Sequence, residues 1–166
     1  MPRGTVGEII VRGPMVTRGY WGQPDTSAQA LRGGWFHTGD GGRMDDEGYL
    51  RIADRLKDMV ISGGENVYPA EVEAALRSHA AVADAAVIGI PDERWGEAVH
   101  AVIVLRAGHV ASDGPALRDE LTAWCRRQLA GYKCPRSIEF AAALPLSAAG
   151  KVLKTQLRAQ ARKAAA

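Results

Sequence analysis

The sequence predicts an α+β fold, with helices packed against one small sheet. Short β-type runs and helical stretches alternate in the order β-β-α-β-β-α-β-α from Met59 onward, and glycine or proline punctuates the breaks between them. Apolar residues recur at helical spacing only in the segments that open at Pro69 and Pro115.

The elements follow in chain order. Gly7 to Gly13 is a short β run closed by Gly13-Pro14, and Asp25 to Leu31 is one short helix with Asp25 or Thr26 as its cap. Trp35 to Thr38 reads as a strand. Gly41 to Met44 and Tyr49 to Ile52 form a hairpin across the acidic turn Asp45-Asp46-Glu47-Gly48. Met59-Val60-Ile61 and Val67-Tyr68 are strands flanking a Gly-Gly turn. Pro69 opens a helix through His79, because its missing N–H costs nothing in a first turn and Glu71 and Glu73 favour the positive helix start. Val82 to Ile90 and Ala98 to Leu105 are strands, Pro115 to Ala130 a helix, Ser137 to Phe140 a strand, and Lys154 to Lys163 a last helix. Trp21, Trp35 and Trp124 stand in apolar company and read as packing residues.

The first third has too few large apolar residues for a core of its own, so the boundary falls at Asp54 to Lys57. Residues 1–56 form a β segment and residues 57–166 a second domain. The chain has 166 residues, 46% apolar and 24% charged, with a formal net charge of +2. That charge is too small to argue for nucleic acid. No apolar run reaches membrane-spanning length and no signal peptide is visible, so a cytoplasmic location is expected. Cys125 and Cys134 suit reduced thiols better than a disulfide framework. His37, His79, His100 and His109 have no second ligand at metal-binding spacing, so no metal centre is expected. No Gly-x-Ser-x-Gly elbow supports hydrolase chemistry.

Three strings carry candidate chemistry. In Thr38-Gly39-Asp40 the carboxylate can accept two hydrogen bonds from a ribose diol; taken alone, it reads as a turn aspartate. Ser62-Gly63-Gly64-Glu65-Asn66 lets a backbone approach a ligand, yet no Gly-Lys-Ser/Thr follows as in a phosphate loop, and alone it is a hairpin turn. Pro145 to Lys151 ends in Gly150-Lys151, where a lysine on a loop can set one compact charge against a developing phosphate anion; most surface lysines do not. Trp95, in a polar loop, could stack on a purine or cover the core.

Taken together and in order, Gly7-Glu8-Ile9, Gly19-Tyr20-Trp21, Gly34 to Asp40, Gly48-Tyr49-Leu50, Asp54-Arg55-x-Lys57-Asp58 to Asn66, Tyr68-Pro69-x-Glu71-Val72-Glu73, Gly131-Tyr132-Lys133-x-Pro135 and Gly150-Lys151 resemble the C-terminal part of the adenylate-forming (AMP-binding) superfamily. The wording is most similar to acyl-CoA synthetases and fatty-acid-CoA ligases.

The resemblance implies that residues 57–166 are a mobile C-terminal domain and residues 1–56 the residual β end of a large N-terminal domain. It implies a reaction in which a carboxylate and ATP give an acyl-adenylate, and a thiol then displaces AMP. Asp40 would hold the ribose hydroxyls, and Arg55 would contact ribose or phosphate. Lys151 would act during adenylation, and Lys57 would be the hinge. Gly63, Gly64 and Glu65 would wall the thiol in the second step. Trp95, Tyr132 and Arg136 would lie beside the nucleotide end of CoA, with Cys134 standing where some members carry a basic residue.

ATP, Mg²⁺ and CoA would serve the full-length enzyme, and this chain alone would retain none of them and make no adenylate. The phosphate loop, acidic Mg²⁺ ligand, adenine pocket and acyl tunnel all belong to the missing N-terminal domain, the expected partner. Two alternatives stand beside this reading. One is a free-standing module that docks on a separate AMP-binding domain or an acyl-carrier protein. The other is an adenylation fragment of a peptide synthetase. Residues 1–54, with their unpaired strand edges, would pair between molecules or swap in a dimer.

Overall fold

The structure, a computed structural model, describes residues 1–109 and 114–164. The chain divides into two compact units, Met1–Lys57 and Asp58–Ala166. The fold class is α+β, as the sequence predicts.

The first unit holds a three-stranded antiparallel sheet in the order β1 (Gly7–Val11), β2 (Phe36–Met44), β3 (Leu50–Arg55), with a short helix α1 (Pro24–Ala30). The two strand runs expected at Trp35–Thr38 and Gly41–Met44 are one continuous strand, β2. Gly39 lets it pass between them by taking φ +72°, a left-handed conformation that a side chain disfavours. The register then shifts between Gly41 and Gly42 against β3, a bulge that adds local twist. The acidic hairpin forms as expected: Tyr49 N–H donates to Asp45 Oδ1 at 2.8 Å, and Gly48 closes the turn with φ +90°. Hydrogen bonding from Tyr49 N–H, the largest influence, and the Arg51 guanidinium lower the pKa of Asp45.

The second unit is built on β4 (Val60–Ser62), β5 (Glu65–Val67), β6 (Val82–Asp92), β7 (Gly96–Leu105) and β8 (Ser137–Phe140). Their order is β5-β4-β7-β6, with β8 pairing β7 in parallel. Side chains alternate across a strand. On one face Val87, Val99, Ala101 and Ile103 meet Val72 and Leu76 of α2 (Pro69–Arg77) and Leu117, Leu121 and Cys125 of α3 (Gly114–Arg126). On the other, Ala86, Ile88 and Val102 meet Leu144 and Leu157, the latter from α4 (Lys154–Ala164).

Every buried apolar residue among those described lies at Val60 or beyond. The first unit instead exposes Tyr49, Leu50 and Ile52, the last at 70%. The large apolar side chains of the first unit are too few and too exposed to close a core of its own.

Three sequence readings need correction. Trp21 is wholly exposed and packs nothing, because Gly19-Tyr20-Trp21-Gly22 is a surface turn. Trp35 is half-buried, with Arg12 stacked 4.4 Å from its ring centroid. Trp124 does pack, donating Nε1–H to Ala75 O at 3.0 Å and meeting His79 edge-on. The helix expected to run from Pro115 to Ala130 stops at Arg126, where tighter bonds from Arg127 N–H to Trp124 O and Gln128 N–H to Cys125 O end it. β6 and β7 run further than expected, to Asp92 and from Gly96, and so bring Trp95 to the tip of their hairpin.

Both cysteines are buried thiols, and burial pushes the Cys125 pKa up to about 11 and raises that of Cys134, which disfavours the reactive thiolate at each. No helix among the described residues is long and apolar enough to cross a membrane.

Candidate functional site

The candidate residues fall into two groups, one in each unit. In the first unit, Asp40 and Arg55 are cross-strand partners on β2 and β3. Arg55 Nε lies 2.7 Å from Asp40 Oδ1. The carboxylate is about one-quarter exposed and the guanidinium about half, so both remain open to a ligand. The segment leading to Asp40 is pinned by Glu8 on β1. The Glu8 carboxylate meets His37 Nδ1 at 2.6 Å, accepts Gly39 N–H at 3.2 Å and pairs with Arg32 at 3.0 Å. Those donors, His37 first, hold Glu8 below the usual carboxylate pKa. Thr38 Oγ1 donates to Ile9 O and accepts Asp40 N–H, which fixes the backbone ahead of the aspartate. Lys57 is exposed and lies in a single 3₁₀ turn, Leu56–Asp58, where the two units join.

In the second unit, Gly63, Trp95 and Arg136 come together from three separate stretches of chain. Ser62 on β4 pairs with Gly96 on β7, and Gly63 N–H donates to Trp95 O at 2.9 Å. The ring of Trp95 lies over the bare Cα of Gly63: a Cβ there would sit 2.6 Å from Trp95 Cε3. Arg136 and Arg94 place their guanidinium carbons 4.4 Å and 4.7 Å from the Trp95 ring centroid. Asp92 Oδ1 accepts the N–H groups of Arg94 and Trp95 and so shapes the loop that presents the ring.

Gly63, Gly64 and Glu65 are all exposed. Tyr132 is 38% exposed in the 3₁₀ turn Gly131–Lys133, which Lys133 ties to α2 through both oxygens of Glu71 at 2.8 Å.

The contact at Gly63 predicts a measurable cost. Gly63 has φ +62°, so Gly63→Ala adds left-handed strain as well as a clash with Trp95. Urea unfolding of this variant is expected to show a loss of about 1–2 kcal/mol or more, against about zero at Gly131, which is open and has no left-handed φ.

Lys151 closes a tight turn. Ser147 N–H donates to Lys151 O at 2.8 Å, Gly150 N–H to Ser147 O at 2.9 Å, and Lys151 N–H to Ser147 Oγ at 3.1 Å. Leu146 and Val152 pair at its base, and Leu153 N–H donates to Pro145 O at 2.8 Å. Gly150, at φ +75°, allows the reversal. The Lys151 side chain is exposed, and its Nζ makes no hydrogen bond or ion pair among the described residues. A rigidly fixed backbone thus presents an uncommitted ammonium group.

Sequence reasoning missed Arg94, and it missed Lys133 as the brace of the Tyr132 turn. Arg94 sits beside Trp95 in the same polar loop, but its stacking depends on where the hairpin turns. The Lys133–Glu71 pair links residues far apart in the chain, and no local pattern points to it. Among the described residues no three His, Cys, Asp or Glu side chains gather as metal ligands. The Mg²⁺ implied by the resemblance therefore finds no donor set among the described residues.

The second unit thus combines a sheet packed on both faces, an uncommitted lysine on a braced turn and a glycine turn under a tryptophan. Residues 71–151 match the family described as the AMP-binding enzyme C-terminal domain, and this part of the chain belongs to it. It is 53% identical over 158 residues to a feruloyl-CoA synthase of an Amycolatopsis species, covering 95% of this chain and 31% of that protein. It is 46% identical over 154 residues to the long-chain-fatty-acid–CoA ligase FadD13 of Mycobacterium tuberculosis, covering 93% of this chain and 29% of that protein. Among solved structures it is similar to o-succinylbenzoate CoA synthetase from Bacillus subtilis in complex with its acyl-adenylate, with a TM-score of 0.84 and 42% identity over 95% of this chain and 31% of that one. The chain thus spans about three-tenths of the length of the relatives it matches.

Proposed function

We propose that this chain is the C-terminal part of an ATP-dependent acid–thiol ligase of the acyl-CoA synthetase class. In the first half-reaction a carboxylate oxygen attacks the α-phosphorus of ATP, the bond to the bridging oxygen breaks, and pyrophosphate leaves. In the second, a thiol attacks the acyl carbon and loses its proton, the bond to the AMP oxygen breaks, and AMP leaves. Lys151 stabilises the charge that develops at the α-phosphate in the first step. Asp40 and Arg55 hold the ribose. Lys57 is the hinge whose backbone absorbs the reorientation between steps. Gly63 and Gly64 wall the thiol, while Trp95, Tyr132 and Arg136 face the nucleotide end of CoA.

The observation that carries this reading is the uncommitted amine of Lys151 on a braced, exposed turn. A structural lysine would be paired or packed. The acid is a fatty acid or a related carboxylic acid. Support for that range comes from relatives named for feruloyl and long-chain fatty acyl substrates. The exposed Tyr49, Leu50 and Ile52 support a partner for the first unit, which on this reading is the N-terminal domain of the longer protein.

The test uses two proteins. One is the 166-residue chain alone; the other is this chain replacing the matching third of the Amycolatopsis feruloyl-CoA synthase. With ATP, acid and CoA, the graft is expected to release pyrophosphate and form thioester, and the chain alone to do neither. Turnover by the isolated chain at enzyme-like rates, or a folded graft without either activity, contradicts the proposal.

A further inference from the structure

Lys151 lies three residues before the start of α4, and two ion pairs tie that helix down. Lys154 Nζ lies 2.8 Å from Glu73 Oε1, with the two side chains only 15% and 11% exposed. Glu73 Oε1 also accepts Val87 N–H at 2.9 Å, so one carboxylate oxygen joins α2, β6 and α4. Arg77 stands further off, 3.9 Å from Glu73 Oε2. One helical turn beyond Lys154, Arg158 Nη2 lies 3.0 Å from Asp58 Oδ1. Lys154 and Arg158 lie on one side of α4. Asp58 directly follows Lys57 in the same 3₁₀ turn.

Stability is a weak reason for such pairs. Desolvating an ammonium and a carboxylate costs about as much as their attraction returns, and a well-packed apolar pair serves as well. A lysine at the first residue of a helix also faces the positive end of the helix dipole. The placement gains its meaning from geometry. α4 and the lysine turn are joined without slack, since Leu153 N–H donates to Pro145 O and Leu157 N–H to Leu153 O.

We propose that Glu73–Lys154 and Asp58–Arg158 are positioning pairs that lock α4 to the residue after the hinge, so that rotation at Lys57 moves Lys151 as a rigid body. The proposal rests on the adenylation role of Lys151. Neither pair touches substrate. Each acts by holding the lysine turn in register with the hinge.

Both half-reactions are measured separately in the graft described above. Lys154→Met and Glu73→Gln are expected to slow pyrophosphate release about 10- to 100-fold, the range for a reacting group displaced by about an ångström. Conversion of supplied acyl-adenylate to thioester is expected to stay within about twofold, because that step does not use Lys151. Lys154→Arg keeps the charge and is expected to restore most of the first rate.

Equal losses in both half-reactions, or none in either, overturn the proposal. If Lys151→Ala itself leaves adenylation intact, the proposed function fails instead, so the two failures are distinguishable. For a variant graft that does not fold, amide exchange in the 166-residue chain decides. Lys151 and Leu153 N–H are expected to exchange at least about tenfold faster in Lys154→Met while Ile103 N–H is unchanged; unchanged exchange at all three overturns the proposal.

Discussion

In the ligase proposed for this chain, Lys151→Ala is expected to lower acyl-adenylate formation about 10²- to 10³-fold and to leave thioester formation from supplied adenylate within a few-fold. The magnitude is that of removing one preorganised charge from a site where negative charge develops. The asymmetry follows from the turn. Lys151 is exposed and its amine is uncommitted among the described residues, so its loss breaks no fold contact. The change therefore leaves the melting curve in place and removes only what the amine does when brought to the phosphate. Lys151→Arg is not an innocent control, because a planar fork replaces a compact charge. It is expected to recover only part of the rate. Separate assays of pyrophosphate release and of AMP release from supplied adenylate check both statements.

The largest stability effect is expected in the centre of the sheet. Ile103 is fully buried on β7, between Ala85 on β6 and Phe140 on β8, and faces the α2–α3 side. Ile103→Ala removes three carbons from a site walled by backbone on both sides, where little can collapse to refill it. The expected cost is about 2–5 kcal/mol. Ile52→Ala on β3 is the control: Ile52 is 70% exposed, and the change is expected to cost less than about 0.5 kcal/mol. Urea unfolding of both variants, with the slope unchanged and only the midpoint moved, checks the contrast.

How much of this was legible in the sequence depended on the range of the interaction. Local signals read well. Pro69 at a first helical turn, the glycines of the Ser62–Asn66 turn and the Asp45–Gly48 hairpin are set by φ preferences and missing N–H groups within a few residues. Strand existence read well too, because Ala85 to Ile90 carries no polar side chain and is buried on both faces. Boundaries and pairings did not. The parallel pairing of β8 with β7 and the reach of the β6–β7 hairpin to Asp92 and Gly96 depend on contacts between distant segments.

The site followed the same division. Gly63 and Lys151 were visible as residues on turns, where backbone chemistry marks them, whereas Asp40, which alone reads as a turn aspartate, lies within β2 opposite Arg55. The stacking of Arg94 and Arg136 on Trp95, and the Glu73–Lys154 pair, needed the fold to bring them together. Trp21 was misread for a related reason. Its neighbours in sequence suggest a core, but Gly19 and Gly22 turn it out to solvent.

The central claim is that one lysine serves the first half-reaction only. The direct measurement is rapid-quench single turnover of each half-reaction, in the wild-type graft and in its Lys151→Ala variant. The account predicts that the ratio of the adenylation rate constant to the thioester-forming rate constant falls by about two orders of magnitude or more on losing the amine. A ratio that stays put, with both constants falling together or neither moving, contradicts it.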